Sequence, residues 1–314
     1  MKTYLASLFL SQRDMAIKEL EIVLGTACEP IDKRWVSFTI DSDSLPAETA
    51  HLALTQSIYE LLDTANPNEY AAVSAQHITN TYKLDVKSIR SEPVDADAIK
   101  DGVFAALETP RVDIHDPEHD YMLLFDERVV FVTEQRFQTQ QDFNTRRSHQ
   151  FIYNHPTSLN PRYSRAMINM SKAKLILDPF CGVGGILIEG AQAGNTMVGG
   201  DYSEEMIARA RSNIASFNAD IPLHVRDARE WDERVGAIVT DLPYGKNSSI
   251  SEDPNSLYTG FFKHASTLTD RMVVGSLKQH DVAGIAISNG WKVQGQFDIY
   301  VHKSMTRTIH IVTR

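Results

Sequence analysis

The first half of the chain mixes extended and helical patterns of apolar residues. Alternation of apolar and polar positions predicts strands at residues 2–10, 34–40 and 70–75, and leaves a short strand at 29–31 open. Helical spacing predicts helices over residues 12–25, ending at Gly25, and over residues 47–65, ending at Asn66-Pro67. This order is close to β-α-β-β-α-β, the arrangement of a ferredoxin-like unit.

A second group of elements follows in residues 77–141. The pattern predicts a strand at 82–89, a helix at 96–107, and strands at 122–125 and 129–133. Only Asp126-Glu127-Arg128 separates the last two strands, a length typical of a hairpin loop. The first half is therefore expected to be an α+β region.

From residue 173 the pattern changes to strict alternation of strands and helices. Strands are predicted at 175–177, 197–199, 223–225, 237–240, 272–277, 291–297 and 308–313, and helices at 185–193, 204–217, 257–268 and 282–289. Such alternation predicts a mostly parallel sheet covered on both faces, with a ligand site at the carboxyl ends of the early strands. Because no helix separates the last two strands, we expect them to form an antiparallel hairpin at the sheet edge.

Length and composition narrow the class of protein. The chain has 314 residues, enough for two domains of about 150 residues each, and 42% hydrophobic residues argue against disorder. Cys28 and Cys181 are too few for a disulfide framework or a multi-thiolate zinc site, which fits a reducing compartment. No window approaches the ~20 apolar residues of a membrane span. We therefore expect a cytoplasmic protein with no membrane partner.

The formal charge of −10 is unevenly distributed. Residues 1–150 carry 14 basic and 25 acidic side chains, whereas residues 151–314 carry 17 and 16. The stretches 143–177 and 299–314 contain no acidic residue. Their basic residues include Arg146, Arg147, Arg162, Arg165, Lys303 and Arg307. These stretches are either solvated segments with chance charge, the first of them a linker, or a basic track for phosphates at a domain junction.

A glycine-rich turn joins the first strand of the second half to its helix. It runs from Asp178 to Gly185, and its expected ligand-facing residues are Asp178, Phe180, Gly182 and Gly184. A G-x-G-x-x-G fingerprint would need glycine at position 187, which is Leu187, and no Gly-Lys-Ser/Thr follows. These departures disfavour NAD and exclude a Walker phosphate loop. The turn instead suits a nucleoside that carries an amino-acid tail.

The next three strands also end in an acidic residue. Asp201 follows the turn by ~20 residues and suits both hydroxyls of a ribose. Asp227 is placed to accept from an adenine amino group, and the fourth strand ends at Asp241. Their neighbours Tyr202 and Ala228 are expected at the same site. Each aspartate alone is more often a cap or turn residue, but four in order predict a cofactor site.

Asp241-Leu242-Pro243-Tyr244 resembles the D/N-P-P-Y/F motif of methyltransferases that use S-adenosylmethionine to methylate amino groups. Leu242 departs from the motif at a position thought to act through its backbone carbonyl. The resemblance implies that Asp241 and the Leu242 carbonyl accept the two N–H bonds of the target amine. It implies further that Tyr244 stacks on the base and that Pro243 stiffens the loop.

Two further motifs narrow the resemblance to archaeal tRNA guanosine-10 N2-methyltransferases. They are His155-Pro156-x-x-Leu159-x-Pro161-x-x-x-Arg165-Ala166-x-x-Asn169-Met170 and His302-Lys303-Ser304-Met305-Thr306-Arg307. The resemblance implies a ferredoxin-like domain at 1–76, a THUMP RNA-binding domain at 77–142, a basic linker at 143–172 and a Rossmann-like methyltransferase domain at 173–314. The stretch Val112-Asp113-Ile114-x-x-Pro117 resembles a THUMP strand and turn.

The expected activity is methyl transfer from S-adenosylmethionine to the exocyclic N2 of a guanosine in tRNA, by a monomer. One or two added methyl groups, and the need for a small activator protein, are left open. So are an rRNA or DNA amino-methyltransferase and a non-catalytic RNA-binding subunit. The expected RNA contacts are Arg146, Arg147, Arg162, Arg165, Lys303 and Arg307, and Lys246, Asn247 and Ser248 are candidates to touch the target nucleotide.

Two features imitate other chemistry. His115-Asp116-Pro117-Glu118-His119 resembles a zinc motif, but Pro117 breaks the helix that such a motif needs. Cys181 would suit a cysteine-dependent carbon methyltransferase, yet it lies in the expected cofactor turn and suits a small buried residue better. We expect neither a metal nor a nucleophilic thiol.

Overall fold

The computed structural model describes residues 1–90, 93–139, 142–155, 157–244, 253–303 and 305–314. The chain forms two compact units. Unit 1 comprises Met1–Ala50 and Leu54–Gln140, and unit 2 comprises His51–Ala53 and Gln141–Arg314. Across the described ranges, no helix has both the length and the apolar character needed to cross a membrane.

Unit 1 is built on one seven-stranded sheet. Its elements are β1 (Lys2–Leu8), α1 (Arg13–Leu24), β2 (Glu29–Pro30), β3 (Trp35–Ile40), β4 (Thr55–Ala65), α2 (Tyr70–Ala75), β5 (Tyr82–Ser88), α3 (Ala96–Ala106), β6 (His119–Phe125) and β7 (Val130–Gln138). The strand order is β2-β3-β1-β4-β7-β6-β5, and β5 and β6 pair in parallel. The predicted hairpin at 126–128 is confirmed, because Phe125 pairs with Val130.

Two predicted elements of unit 1 are wrong. Residues 47–65 were expected to form a helix, but β4 occupies most of them as the centre of the sheet, paired with β1 and β7. Strand pairing on both sides overrides the helical spacing of its leucines. Residues 70–75 were expected to form a strand but form α2, whose Tyr70 ring packs on Phe125 with centroids 5.4 Å apart.

These corrections change the domain division expected for the first half. The β-α-β-β-α-β order is absent, and β4 from the first expected domain pairs with β7 from the second, from Ser57–Gln138 to Ala65–Val130. Residues 1–76 and 77–142 therefore share one sheet instead of forming two separate compact domains. The assignment of this unit to an RNA-binding class stays a prediction.

Unit 2 contains the second seven-stranded sheet. Its elements are α4 (Pro161–Ser171), β8 (Leu175–Asp178), α5 (Gly185–Gln192), β9 (Thr196–Asp201), α6 (Glu204–Ser216), β10 (Leu223–Val225), β11 (Ala237–Asp241), α7 (Pro254–Leu268), β12 (Arg271–Leu277), α8 (Val282–Ser288), β13 (Lys292–His302) and β14 (Met305–Thr313). The order is β10-β9-β8-β11-β12-β14-β13. The predicted mostly parallel sheet with an antiparallel edge hairpin, β13–β14, is confirmed.

The segment expected to be a basic linker folds as part of unit 2. Asn160 caps α4 by accepting from the Arg162 backbone N–H, and Pro161 occupies the first turn, where a missing N–H costs nothing. Eight of the eleven residues of α4 are buried, including Arg165. The linker interpretation of 143–172 is therefore wrong for this helix, whose apolar face packs into the core of unit 2.

Candidate active site

The carboxyl ends of β8 to β11 surround a cavity of about 390 Å³. Eleven residues predicted from the strand ends and the D-L-P-Y motif line it: Asp178, Phe180, Gly182, Asp201, Tyr202, Asp227, Ala228, Asp241, Leu242, Pro243 and Tyr244. Parallel strands bring their carboxyl ends to one sheet edge, which is why residues far apart in sequence meet here.

Asp178 lines this cavity and is 1% exposed. The hydroxyl of Thr240 donates to its Oδ1 at 2.6 Å, and the backbone N–H of Phe180 donates to the same oxygen at 3.3 Å. Burial, with a smaller contribution from the negative charges of Asp201 and Asp241, raises the pKa of Asp178 to about 7. This carboxyl group is thus close to its titration point near neutral pH.

The glycine turn brings its backbone to the second acidic residue. Gly182 has φ +50° and Gly184 has φ +91°, both in the left-handed region that favours glycine. The Gly182 N–H donates to Asp201 Oδ2 at 3.0 Å, and the Ser203 N–H donates to Oδ1 at 2.9 Å. Burial raises the pKa of Asp201 while these two bonds lower it. Gly184 does not line the cavity but precedes α5 as its N-terminal cap.

Asp227 is paired with an arginine that the sequence did not single out. Arg229 donates from Nε to Asp227 Oδ1 at 2.9 Å and from Nη2 to Oδ2 at 2.7 Å. The guanidinium holds the pKa of Asp227 below its usual range. Arg229 itself lines the cavity, so a cation as well as a carboxylate faces this end of the site.

Hydrogen bonds and burial fix the conformation of the D-L-P-Y motif, which begins at the end of β11. The Leu242 N–H donates to the Gly275 carbonyl at 2.8 Å, and the Leu242 side chain is fully buried. The Tyr258 hydroxyl donates to the Pro243 carbonyl at 2.6 Å. These contacts explain how leucine at the second motif position is accommodated, because its side chain enters the core of unit 2.

Arg307 from β14 contacts residues that line this end of the cavity. Its Nε donates to the Tyr244 hydroxyl at 2.8 Å, and its Nη2 lies 3.2 Å from Asp241 Oδ2. The same Nη2 donates to the Thr157 carbonyl and to the Tyr244 hydroxyl. Arg307 is 2% exposed, so the prediction that it contacts RNA is wrong.

Three more of the expected RNA contacts are used inside unit 2. Arg165 is fully buried and lies 3.0 Å from Glu189 Oε2, while Arg146 Nε donates to Glu189 Oε1 at 2.6 Å. Arg162 donates to the Ala53 carbonyl at 2.6 Å. These arginines lie in a stretch of sequence without acidic residues. Their partners are therefore a buried carboxylate and backbone carbonyls from other segments of unit 2. Arg147 and Lys303 are exposed.

Several cavity-lining residues were not predicted. Five come from the segment before β8: His155, Thr157, Ser158, Leu159 and Ser164. His155, Thr157, Ser158 and Leu159 lie within the H-P-x-x-L motif, which is their signal in the sequence, whereas Ser164 lies outside it. Apolar members such as Ile186, Met206 and Leu257 gave no signal, because their spacing is that of ordinary core residues.

Cys181 and His119 have surroundings that bear on the two imitated motifs. Cys181 is 6% exposed, and burial raises the pKa of its thiol well above the usual range, so it is a poor nucleophile. His119 Nδ1 lies 2.9 Å from Glu134 Oε1. Nowhere in the described ranges do three His, Cys, Asp or Glu side chains come together as a metal site. Lys246, Asn247 and Ser248 lie outside the described residues.

Residues 149–307 match the model of the UPF0020 family, described as an RMKL-like methyltransferase domain. The chain belongs to this family. The match includes the glycine turn, the four acidic strand ends, the D-L-P-Y motif and Arg307. The four acidic strand ends thus form the cavity of a methyltransferase domain.

Curated relatives of this methyltransferase chain carry more specific names. A tRNA (guanine(10)-N2)-dimethyltransferase from Methanothermobacter thermautotrophicus is 33% identical over 202 residues, 61% of this chain and 60% of the relative. One from Pyrococcus abyssi is 33% identical over 180 residues, 55% of each chain. The human tRNA (guanine(6)-N(2))-methyltransferase THUMP3 is 30% identical over 35% of this chain and 26% of its own. The chain spans about 60% or less of the curated relatives named here.

A solved structure shares the fold of this methyltransferase over nearly its full length. TrmN from Thermus thermophilus matches with a TM-score of 0.54 and 17% identity, over 99% of both chains. At this identity the likeness concerns the fold alone. It agrees with the Rossmann-like arrangement expected for the second half of the chain.

Proposed function

We propose that this protein transfers a methyl group from S-adenosylmethionine to the exocyclic N2 of a guanosine in tRNA, at position 10. The observation that carries the proposal is that the D-L-P-Y motif ends β11 in the same cavity as Asp178, Asp201 and Asp227. The names of the archaeal relatives support the choice of substrate. The product would be N2-methyl- or N2,N2-dimethylguanosine.

The chemistry of the cavity fits S-adenosylmethionine. When bound, this cofactor supplies an electrophilic methyl group on a sulfonium. Asp201 would hold the ribose hydroxyls, because each of its oxygens receives one backbone N–H and keeps further acceptor capacity. Ser158 and Ser164 have buried hydroxyls without a hydrogen-bond partner among the described residues, so they suit the carboxylate of the amino-acid tail. Asp178 would face the positively charged part of that tail.

The base would be held by the D-L-P-Y motif. An exocyclic amine is a weak nucleophile because its lone pair is delocalised into the ring. Asp241 and the Leu242 carbonyl would accept its N–H bonds and orient the lone pair, while Tyr244 would stack on the base. Proton loss follows methyl transfer, so positioning and electrostatics provide most of the catalysis. The target nucleotide must leave its stack to reach this cavity.

The N-terminal unit would contribute recognition of RNA shape. Protein side chains read duplex RNA poorly through its deep groove, so a THUMP-type unit would act by shape and backbone contacts. We also propose that the catalytic chain is a monomer and lies in the cytoplasm. The two free cysteines agree with a reducing compartment. The need for a small activator protein is tested separately. The reaction is run first with this chain alone and then with the activator added.

The deciding experiment is incubation of the protein with labelled S-adenosylmethionine and unmodified tRNA, followed by mapping of the modified nucleotide. We expect label on guanosine N2 at position 10 and none with Asp241→Ala. Label on guanosine N2 at position 6 would contradict position 10 and would instead support the reaction in the name of the THUMP3 relative, tRNA (guanine(6)-N(2))-methyltransferase. Cofactor binding by calorimetry without incorporation into any tRNA, with or without an activator, would overturn the proposed tRNA activity.

A further inference from the structure

Arg307 joins three segments of unit 2 around one side of the cavity. Its guanidinium donates to the Tyr244 hydroxyl and to the carbonyl of Thr157, and forms an ion pair with Asp241 Oδ2. The residue comes from β14, which the sheet separates from β11 by one strand, β12. With 2% exposure, this charge is almost fully removed from water. A buried cation of this kind is stable only because several acceptors converge on it.

The two oxygens of Asp241 have different surroundings. Oδ1 is buried beside Gly275 and has no hydrogen-bond partner among the residues that the structure describes. Oδ2 lies 3.2 Å from Arg307 and 3.5 Å from the Tyr244 hydroxyl. Arg307 therefore determines where the second oxygen lies and which way the carboxylate plane is turned.

Arg307 contacts the Tyr244 side chain at its hydroxyl and over its ring. Arg307 Nε donates to the phenol oxygen at 2.8 Å, and the guanidinium carbon lies 5.5 Å from the ring centroid. The bond to the hydroxyl fixes the position of the end of the side chain, and the guanidinium over the ring restricts rotation of the ring plane. A planar fork with five N–H donors can serve the phenol, the carboxylate and a carbonyl at once, which a lysine ammonium cannot match.

We propose that Arg307 is a positioning residue that sets the Asp241 carboxylate and the Tyr244 ring in the geometry needed to receive the target base. The inference rests on the proposed function for the identity of that base as guanine. Arg307 does not touch the reacting atoms in this view but acts through its two partners. It replaces the role in RNA binding that the sequence suggested for it.

Arg307 also affects the pKa of Asp241. Burial raises the pKa of Asp241, and the positive charge of Arg307 lowers it. The other ionisable groups that face this carboxylate are Tyr244, Tyr258 from α7 and Asp178 from β8. None of these is a cation, and of them the Tyr244 hydroxyl lowers the pKa of Asp241 through its hydrogen bond. Loss of Arg307 removes the larger of the two effects that oppose burial. The acidic limb of the rate profile should then move to higher pH.

The test compares Arg307→Met and Arg307→Lys with Arg271→Met. Arg271 is a matched control, because it is a partly buried arginine of the same sheet that donates to the Met170 carbonyl and not to the cavity. For Arg307→Met we expect kcat on tRNA to fall about 100-fold, as for a reacting group misplaced by ~1 Å. Cofactor Kd should stay within threefold, Arg307→Lys should fall in between, and Arg271→Met should keep its kcat.

An unchanged kcat in Arg307→Met, or an equal loss in Arg271→Met, would overturn the inference. So would an acidic limb at the same pH as in wild type. A second readout is independent of turnover: the NMR resonance of the Tyr244 ring, ¹³C-labelled at the phenol carbon. It should shift in Arg307→Met and stay in place in Arg271→Met. If wild-type protein binds cofactor but methylates no tRNA, the proposed function fails. The role of Arg307 is tested separately, and an unshifted Tyr244 resonance in Arg307→Met would overturn it.

Discussion

Asp241 and Gly275 are register partners on the parallel strands β11 and β12, and the Asp241 carboxylate occupies the space that a side chain at 275 would fill. A Cβ at position 275 would lie 2.4 Å from Asp241 Oδ1. Gly275→Ala must therefore displace the carboxylate or the strand. We predict a loss of about 100-fold in kcat, the effect of misplacing a reacting group by ~1 Å, measured as methylation of tRNA.

The control for this substitution is Gly102→Ala in unit 1. A Cβ at 102 would lie 2.7 Å from the Tyr70 hydroxyl, so the steric conflict is of similar size but involves no cavity residue. We expect both variants to lower the free energy of unfolding, and only Gly275→Ala to lower kcat at saturating cofactor and tRNA. Equal kcat in the two variants would show that position 275 has no special relation to the site.

The sequence predicted unit 2 better than unit 1, and the reason is physical. Each acidic residue of the site follows a short apolar strand, and a parallel sheet brings such ends together whatever the loops between them do. In unit 1 the outcome depended on strand pairing between distant segments. The run 47–65 has leucines at helical spacing, but its place between β1 and β7 decides in favour of a strand.

The contacts of the arginines could not be predicted from the sequence for a related reason. Arg165 pairs with Glu189, which lies 24 positions later on another helix, and Arg307 reaches Asp241 from the other end of unit 2. Charge counts along the chain treat each segment as if its neighbours in sequence were its neighbours in space. For α4 and β14 they are not, so the expected RNA contacts of Arg165 and Arg307 had to be corrected, because both side chains are buried.

Asp201 should govern cofactor binding. Both of its oxygens accept backbone N–H groups from the turn and from the start of α6, so the carboxylate is fixed before any ligand arrives. Asp201→Asn replaces one acceptor oxygen by a donor that faces a backbone N–H. We predict that the Kd for S-adenosylmethionine, measured by calorimetry, rises at least ~10-fold, since hydrogen bonds to charged groups contribute about 1.5–3 kcal/mol.

The matched control is Asp232→Asn. Asp232 pairs with Arg226 at 3.1 Å, but its side chain is 79% exposed and outside the cavity. Its substitution should leave the cofactor Kd unchanged. An Asp201→Asn variant that binds the cofactor as tightly as wild type would remove Asp201 from the binding site.

Asp178 should make the stability of unit 2 depend on pH. Its native pKa is raised to about 7, against 3.8 as the ordinary value, because the carboxyl group is buried. Between these values the native state binds more protons than the unfolded state, so the free energy of unfolding falls as pH rises from 4 to 7. The full effect is at most about 4 kcal/mol, reached above pH 7.

Asp178→Asn removes this titration and keeps an oxygen that can accept from Thr240. We measure the free energy of unfolding in urea for the cofactor-free proteins. The value for the variant minus the value for wild type should be larger at pH 8 than at pH 5. Asp270→Asn, at an exposed ion pair with Arg234, is the control and should show no such difference. A variant-minus-wild-type difference that is the same at both pH values would contradict a raised pKa at Asp178.

The last prediction concerns the two expected RNA contacts that remain exposed, Arg147 and Lys303. Lys303 follows β13 at the sheet edge where the cavity lies, so it is placed to meet phosphates near the target nucleotide. Arg147→Ala with Lys303→Ala should weaken tRNA binding and reduce the slope of log K against log salt by about 1–2, the effect of losing two phosphate contacts. Cofactor Kd should not change.

Two controls make this test specific. Lys292→Ala removes an exposed lysine from the other end of β13, about 35 Å away by strand length, and should leave the salt slope unchanged. Arg146→Glu puts a second carboxylate against the buried Glu189, which should lower the free energy of unfolding by about 3–5 kcal/mol. The adjacent residues Arg146 and Arg147 should therefore differ in kind: Arg146 stabilises the fold, whereas Arg147 serves RNA binding. If the double alanine variant binds tRNA with the affinity and salt slope of wild type, the phosphates contact another surface.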